Sequence, residues 1–151
     1  MDGLTIEFEA VKDCWQEMEA LAAREQIEVK EIRPFGPDWK SMQTLNEQGI
    51  FRGLVARIDG RAVGYFTWLI DFDLESKGTL IANQSTWYVE PRHPLVAIKM
   101  LDRAIAELKK AGVEFIYFHH TIHGRGANLG RLFQRRGAEL LGYNYVMKMK
   151  G

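Results

Sequence analysis

The sequence predicts an α/β (α+β) domain built on one mixed central β-sheet with helices on both of its faces. Three observations carry this. First, the β-rich runs "FRGLVARI" and "AVGYFTWLI" flank "DGR", and Asp59-Gly60 suits a type I′ turn, which needs positive φ at both central residues. Second, Ser85 to His119 reads as strand–helix–strand, a right-handed parallel crossover. Third, "GYNYVMKM" alternates apolar and polar residues and predicts a closing strand. An antiparallel hairpin beside a parallel crossover makes the sheet mixed.

The elements follow in order. Leu4–Phe8 predicts a short first strand. Val11, Cys14, Trp15, Met18, Leu21 and Ala22 recur at the spacing of one helix face. In "GPDWKSMQTLNEQG", Pro37 and Asp38 start a second helix, Trp39, Met42 and Leu45 form its apolar face, and Gly49 ends it. "DFDLESKGTLIAN" reads as an acidic connector. "QSTWYVEP" is a strand stopped by Pro91. Leu95 to Ala111 predicts a helix with Ile98, Leu101, Ile105 and Leu108 facing the core and Gly112 at its end. "VEFIYFHH" is apolar, β-branched and aromatic, and reads as a central strand. "NLGRLFQRRG" predicts a short helix with Arg131, Arg135 and Arg136 mostly outward and Gly137 as its cap.

With 151 residues and 46% hydrophobic content, the chain fits a single domain, 1–151, with one sizeable core. Lys+Arg 20 balances Asp+Glu 20, so the overall charge makes no case for nucleic acid. The single cysteine, Cys14, excludes an internal disulfide and a cysteine-based zinc site, and its helical spacing makes it a small core residue. No apolar run reaches the ~18 residues of a membrane helix. The N-terminal "MDGLTIEFEA" lacks the basic start and apolar stretch of a signal peptide, so a soluble cytoplasmic protein is expected.

The join "WYVEPRHPLVAIKML" passes from strand to helix through two prolines, an arginine and a histidine, with no glycine. Together with the two N-terminal helices, "IDGRAVGY", "KKAGVEFIYF" and "LFQRRGAELLGYNYVMKM", it resembles the GNAT superfamily of N-acetyltransferases along nearly the whole chain. In its compact form the chain is also similar to GNAT-fold proteins of tailed phages. The resemblance implies a sheet whose two parallel central strands splay apart, here "QSTWYVEP" and "VEFIYFHH", with acetyl-CoA as cosubstrate in the gap. The pantetheine arm would add to the backbone of Trp87, Tyr88 and Val89 like an extra strand. The pyrophosphate would sit at the N-terminus of the following helix, where free N–H groups and the helix dipole suit an anion.

Two departures stand out. The family's loop is glycine-rich, so that backbone N–H groups approach the phosphates. This chain has Arg92, His93, Pro94, Leu95, Val96 and Ala97 there, in a loop about two residues shorter than the family's. Arg92, His93 and Lys99 would then supply charge by side chain, arginine in bidentate fashion; the same residues also read as an ordinary capped join. At Phe133 many members of the family carry a tyrosine that protonates the departing thiolate. Phenylalanine cannot do so, and reads as packing on the pantetheine or as core. Asn128 reads either as an N-cap or as a cofactor contact.

Direct attack of a neutral amine on the thioester depends mainly on positioning. A strand N–H near Val89 would serve as oxyanion donor. Glu90, His120 and Tyr143 are the candidates for proton transfer. Asp71 and Asp73, with Glu75, could form an acidic rim for a cationic acceptor, or simply a hydrophilic loop. His119, His120 and His123 do not read as a metal site, because adjacent strand residues point to opposite sides. "HGRGAN", with Gly124 and Gly126, could touch the cofactor's phosphates or be a flexible loop.

The expected function is therefore acetyl transfer from acetyl-CoA to an amine on a small molecule or protein. Its rival is a GNAT-fold binding or regulatory protein without turnover. A third reading is nucleic-acid binding through Arg125, Arg131, Arg135 and Arg136; the basic helix is balanced elsewhere and lacks a reading motif. Homodimers are common in such folds, but no residue here specifies one.

Overall fold

A computed structural model describes residues 2–120 and 128–149. Among these residues, five strands form one sheet in chain order: β1 (Leu4–Phe8), β2 (Phe51–Ile58), β3 (Arg61–Phe72), β4 (Leu80–Val89) and β5 (Phe115–Tyr117). The first three pairings are antiparallel and β4–β5 is parallel. Helices α1 (Val11–Glu28), α2 (Trp39–Glu47), α3 (Pro94–Lys110) and α4 (Leu129–Arg135) complete it.

Local chemistry sets most of these boundaries. The β2–β3 hairpin closes at Ile58↔Arg61, with Asp59 at φ 49° and Gly60 at φ 83°, as a two-residue type I′ loop requires. Asp38 caps α2 by accepting the Ser41 N–H at 3.0 Å. Pro94 occupies the first turn of α3, where its missing N–H is not needed.

Period-two alternation divides two cores between the faces of the sheet. Leu54, Ala56, Phe66, Trp68, Trp87 and Val89 pack with Val96, Met100, Leu101, Ala104 and Leu108 of α3 and Phe133 of α4. Val55, Tyr65 and Tyr88 pack with Cys14, Met18 and Leu21 of α1. Cys14 is a core residue, 2% exposed; burial raises its thiol pKa to about 11.

Four sequence expectations need correction. The connector after β3 is Asp73–Thr79, closed by the Asp73 N–H on the Thr79 carbonyl at 2.9 Å. β3 runs on to Phe72 and β4 starts at Leu80, because Leu80–Asn83 pair back on β3 and Ile81–Asn83 also pair with β5. The run "VEFIYFHH" yields only the three residues of β5, at the margin of the described sheet, with Phe115 60% exposed. The helix face of α3 is rotated: Val96, Met100 and Ala104 are buried and Ile98 faces outward. Finally, "GYNYVMKM" forms no strand. An alternating run becomes a strand only where a sheet edge satisfies its backbone, and no described strand pairs with it.

Candidate functional site

The site begins with a bulge. Thr67 pairs with Thr86 but Trp68 pairs with Gln84, so Ser85 is an extra residue in β4. A bulge bends its strand and increases its twist. On the other side of β4, the parallel ladder stops at Asn83↔Tyr117, two residues before the bulge. β4 continues to Val89 while β5 ends, and the two diverge. Gln84 spans the opening: its side-chain carbonyl accepts the His119 N–H at 3.1 Å. Across the bulge, Thr67 Oγ1 accepts the Thr86 N–H at 3.1 Å, taking the place of a ladder bond.

A cleft of about 620 Å³ opens there on the α1 side, within the size range of ligand pockets. Gln84–Val89, Ala97, Leu129, His119 and His120 line it, opposite α1 and the 31–37 segment. From the α3 side, Phe133 fills the divergence. It stacks on Phe118 at 4.5 Å and leans on Trp87 at 5.9 Å. Trp87 Nε1 and His93 Nε2 are buried without a hydrogen-bond partner among the described residues. Such groups are costly to leave unsatisfied, and Trp87 borders the cleft.

At the end of β4, Glu90 is 3% exposed although charged. Its carboxylate accepts Arg61 Nη1 at 2.8 Å, Arg24 Nη1 at 3.1 Å and Arg92 Nε at 3.1 Å, and His93 Nε2 lies 4.0 Å away. The Arg61 bond, with Arg92 assisting, holds Glu90 down at about 2. Three guanidiniums around one carboxylate leave an excess of positive charge at the entrance to α3.

The α1 face carries acids. Tyr65 donates its hydroxyl to Glu25 at 2.5 Å, and Tyr88 donates to Glu28 at 2.9 Å. Burial raises the pKa of Glu25 above the usual carboxylate value; the Tyr65 bond works in the opposite direction. Glu31, also in the lining, pairs with Arg33 at 2.7 Å, which holds it at about 2.

The residues expected from sequence fall into three groups. Trp87, Tyr88, Val89, Ala97 and His120 line the cleft. Arg92 lines a second hollow, with Arg24, Glu28, Tyr88 and Glu90, and His93 stands beside Glu90. Val96 offers no side chain to a ligand; it is fully buried, and its N–H bonds the His93 carbonyl at 3.1 Å. Leu95 is 61% exposed. Asn128 stands at the N-cap of α4 without a side-chain cap bond. Asp71, Asp73 and Tyr143 lie outside the cleft lining. The two aspartates accept N–H groups of Phe72 and Glu75, local turn bonds, and Tyr143 is exposed with the C-terminal segment. Sequence reasoning missed Glu25, Glu28, Gln84 and the Ser85 bulge. A polar stripe Glu25–Glu28 on the helix was the only available signal, and it resembles any solvated face.

His123, Gly124, Arg125 and Gly126 lie outside the described residues. Arg136 is bonded to Asp102 at 2.5 Å, which removes it from a free basic face. Among the described residues, no group of three His, Cys, Asp or Glu side chains is placed to hold a metal, and no helix is long and apolar enough to cross a membrane.

No protein-family model matches the chain, and no curated protein matches it. Solved structures do. A predicted acetyltransferase with acetyl-CoA from Clostridium acetobutylicum superposes with TM-score 0.74 at 17% identity, over 97% of this chain and 96% of that one. An aminoglycoside acetyltransferase from an uncultured soil metagenomic sample, in complex with sisomicin, gives TM-score 0.70 at 18% identity, over 97% and 98%. A transcriptional regulator from Bacillus halodurans C-125 gives TM-score 0.79 at 16% identity, over 97% and 99%. The element order, the diverging parallel strands and these superpositions together establish that the chain has the fold of the GNAT acetyltransferases.

Proposed function

We propose that the protein is an acyl-CoA-dependent N-acyltransferase that moves acetyl from acetyl-CoA to an amine by direct attack. The observation that carries this reading is the divergence of β4 and β5 at the Ser85 bulge, with the cleft it opens beside Trp87–Val89. An extended pantetheine arm can lie against that stretch as an added strand. Arg92, with Arg24 and Arg61 beside it, supplies cationic side chains for the diphosphate where the loop lacks glycine. Leu95 and Ala97 frame the first turn of α3, and Val96 only anchors it. Phe133 packs the floor and takes no part in proton transfer. Glu90, committed to arginines and held near 2, is a weak proton acceptor, so its role is to gather the guanidiniums. Of the proton-transfer candidates from sequence, His120 alone lies in the cleft lining.

The second reading, a binding or regulatory protein, is favoured by Phe133, which sits 6% exposed within the strand divergence where an acid could have stood. Thermal melting with CoA and acetyl-CoA separates the two. A ligand at ~100 times its Kd adds about 2.7 kcal/mol of stability. A clear shift, diminished in Arg92→Ala, supports the acyltransferase reading; no shift at millimolar acetyl-CoA turns the choice to the binding protein.

A further inference from the structure

Transfer to an amine that arrives protonated needs a base. Glu90 and Tyr143 lie outside the cleft lining and His120 lies within it; a second base in the lining is Glu25. It projects from the last turns of α1 into the cleft, on the α1 face of the bulged strand, and lines the same cavity as Thr86, Trp87, Tyr88 and His120. Its orientation is fixed by the 2.5 Å bond from Tyr65 on β3. Tyr65 is itself buried, 2% exposed, so its ring is held by the packing around it.

We propose that Glu25, oriented by the Tyr65 hydroxyl, is the base that takes the proton from a cationic amine acceptor in the cleft. This rests on the acyltransferase reading. The ammonium gives one proton to the Glu25 carboxylate. The freed lone pair forms the C–N bond at the thioester carbonyl, and the C–S bond breaks with its electrons on sulfur. The second proton lost by nitrogen goes to that thiolate, leaving amide and CoA thiol, and Glu25 returns its proton to water.

The charged and titratable groups around Glu25 come from every wall. Glu28 and Glu31 stand on its own side, Tyr65 and Tyr88 on the sheet, Arg33 on the 31–37 segment, and His119 and His120 across the cleft. Glu28 and Glu31 make the environment more negative and push the Glu25 pKa in the same upward direction as burial does. That makes Glu25 a stronger base than an ordinary carboxylate, and a proton acceptor works best with a pKa near the working pH. The same negative field attracts a cationic acceptor.

The test compares wild type, Glu25→Gln and Tyr65→Phe. CoA-thiol release from acetyl-CoA is followed with spermidine as the amine probe across pH about 5 to 9, alongside the melting shift with CoA. Glu25→Gln, which can still accept the Tyr65 hydrogen bond, is expected to keep the melting shift, lose about 100-fold or more in kcat and lose the acidic limb of the pH profile. Tyr65→Phe removes the bond that lowers the Glu25 pKa, so its acidic limb moves to higher pH; a merely structural role would leave that limb in place. The inference is overturned if Glu25→Gln keeps wild-type kcat and pH profile, or if wild type binds CoA yet transfers nothing to spermidine. A wild type with no CoA shift overturns the acyltransferase reading itself.

Discussion

The two faces of this sheet are built from alternate residues of the same strands and do opposite things. Toward α3, Leu54, Phe66, Trp68, Trp87 and Val89 meet Val96, Met100, Leu101 and Leu108, and packing is almost wholly apolar. Toward α1, Tyr65, Thr67, Thr86, Tyr88 and Glu90 present polar atoms, each bonded to a partner on a neighbouring element. The apolar face supplies stability through burial. The polar face is held open by hydrogen bonds that fix side-chain positions, and there the cleft forms. One strand, β4, serves both because its side chains alternate beyond the bulge: Trp87 and Val89 face α3, Thr86 and Tyr88 face α1.

The comparison is tested most strongly on the apolar side. Leu101→Ala, at a fully buried position, is expected to cost about 2–5 kcal/mol in urea unfolding. Tyr65→Phe on the polar face removes one hydrogen bond while keeping the ring, and is expected to cost only about 0.5–1.5 kcal/mol. Equal losses would erase the distinction between the faces.

Gly64→Ala tests the contact between β3 and the end of β4. A Cβ there meets Val89 Cγ2 at 2.8 Å and the Tyr88 carbonyl at 2.9 Å. Overpacking of this kind costs about 1–3 kcal/mol, and it is expected to weaken CoA binding as well, since it presses on the cleft strand. Unchanged melting and CoA response would remove Val89 from the site's framework.

The two acids of the polar face have opposite pH signatures. Glu90 is depressed to about 2, so its stabilising contribution is present above the unfolded carboxylate value of ~4.3 and is lost as pH falls toward about 2. Glu25 is raised, so the folded state favours its protonated form. Its contribution is present below the unfolded value and is lost as pH rises through the folded one. Glu25→Gln is therefore expected to raise the neutral-pH melting temperature slightly, while Glu90→Gln lowers it and flattens the acid limb. Melting curves at pH about 3, 5 and 7 check both signs.

The smallest structural effect is expected at Arg92. Its side chain is 66% exposed and its ion pair with Glu90 is one of three, so Arg92→Ala costs at most about 1 kcal/mol in stability. Its loss should appear in CoA affinity instead.

Much of the frame was legible in the sequence. β1, the Asp59-Gly60 hairpin, the α2 cap at Asp38 and the parallel crossover all follow from short-range chemistry, which the residues themselves display. The polar face was much less legible. Glu25 looks like any solvated helix residue until Tyr65, 40 positions away, is placed against it. The Ser85 bulge has no composition of its own; it exists because β3 and β4 pair out of step. Asp71 and Asp73 were conspicuous as a cluster, yet the connector spends them on its own backbone. In the sequence Glu90 reads as a lone strand-end carboxylate; the arginines from α1 and the hairpin that decide its charge lie 66 and 29 residues away.

The most direct measurement is a crystal structure of the chain grown with CoA. The pantetheine arm is expected to run along Trp87–Val89 between the diverging strands, with the diphosphate against Arg92. A divergence closed by Phe133 and Trp87, with the nucleotide bound elsewhere or not at all, would contradict it.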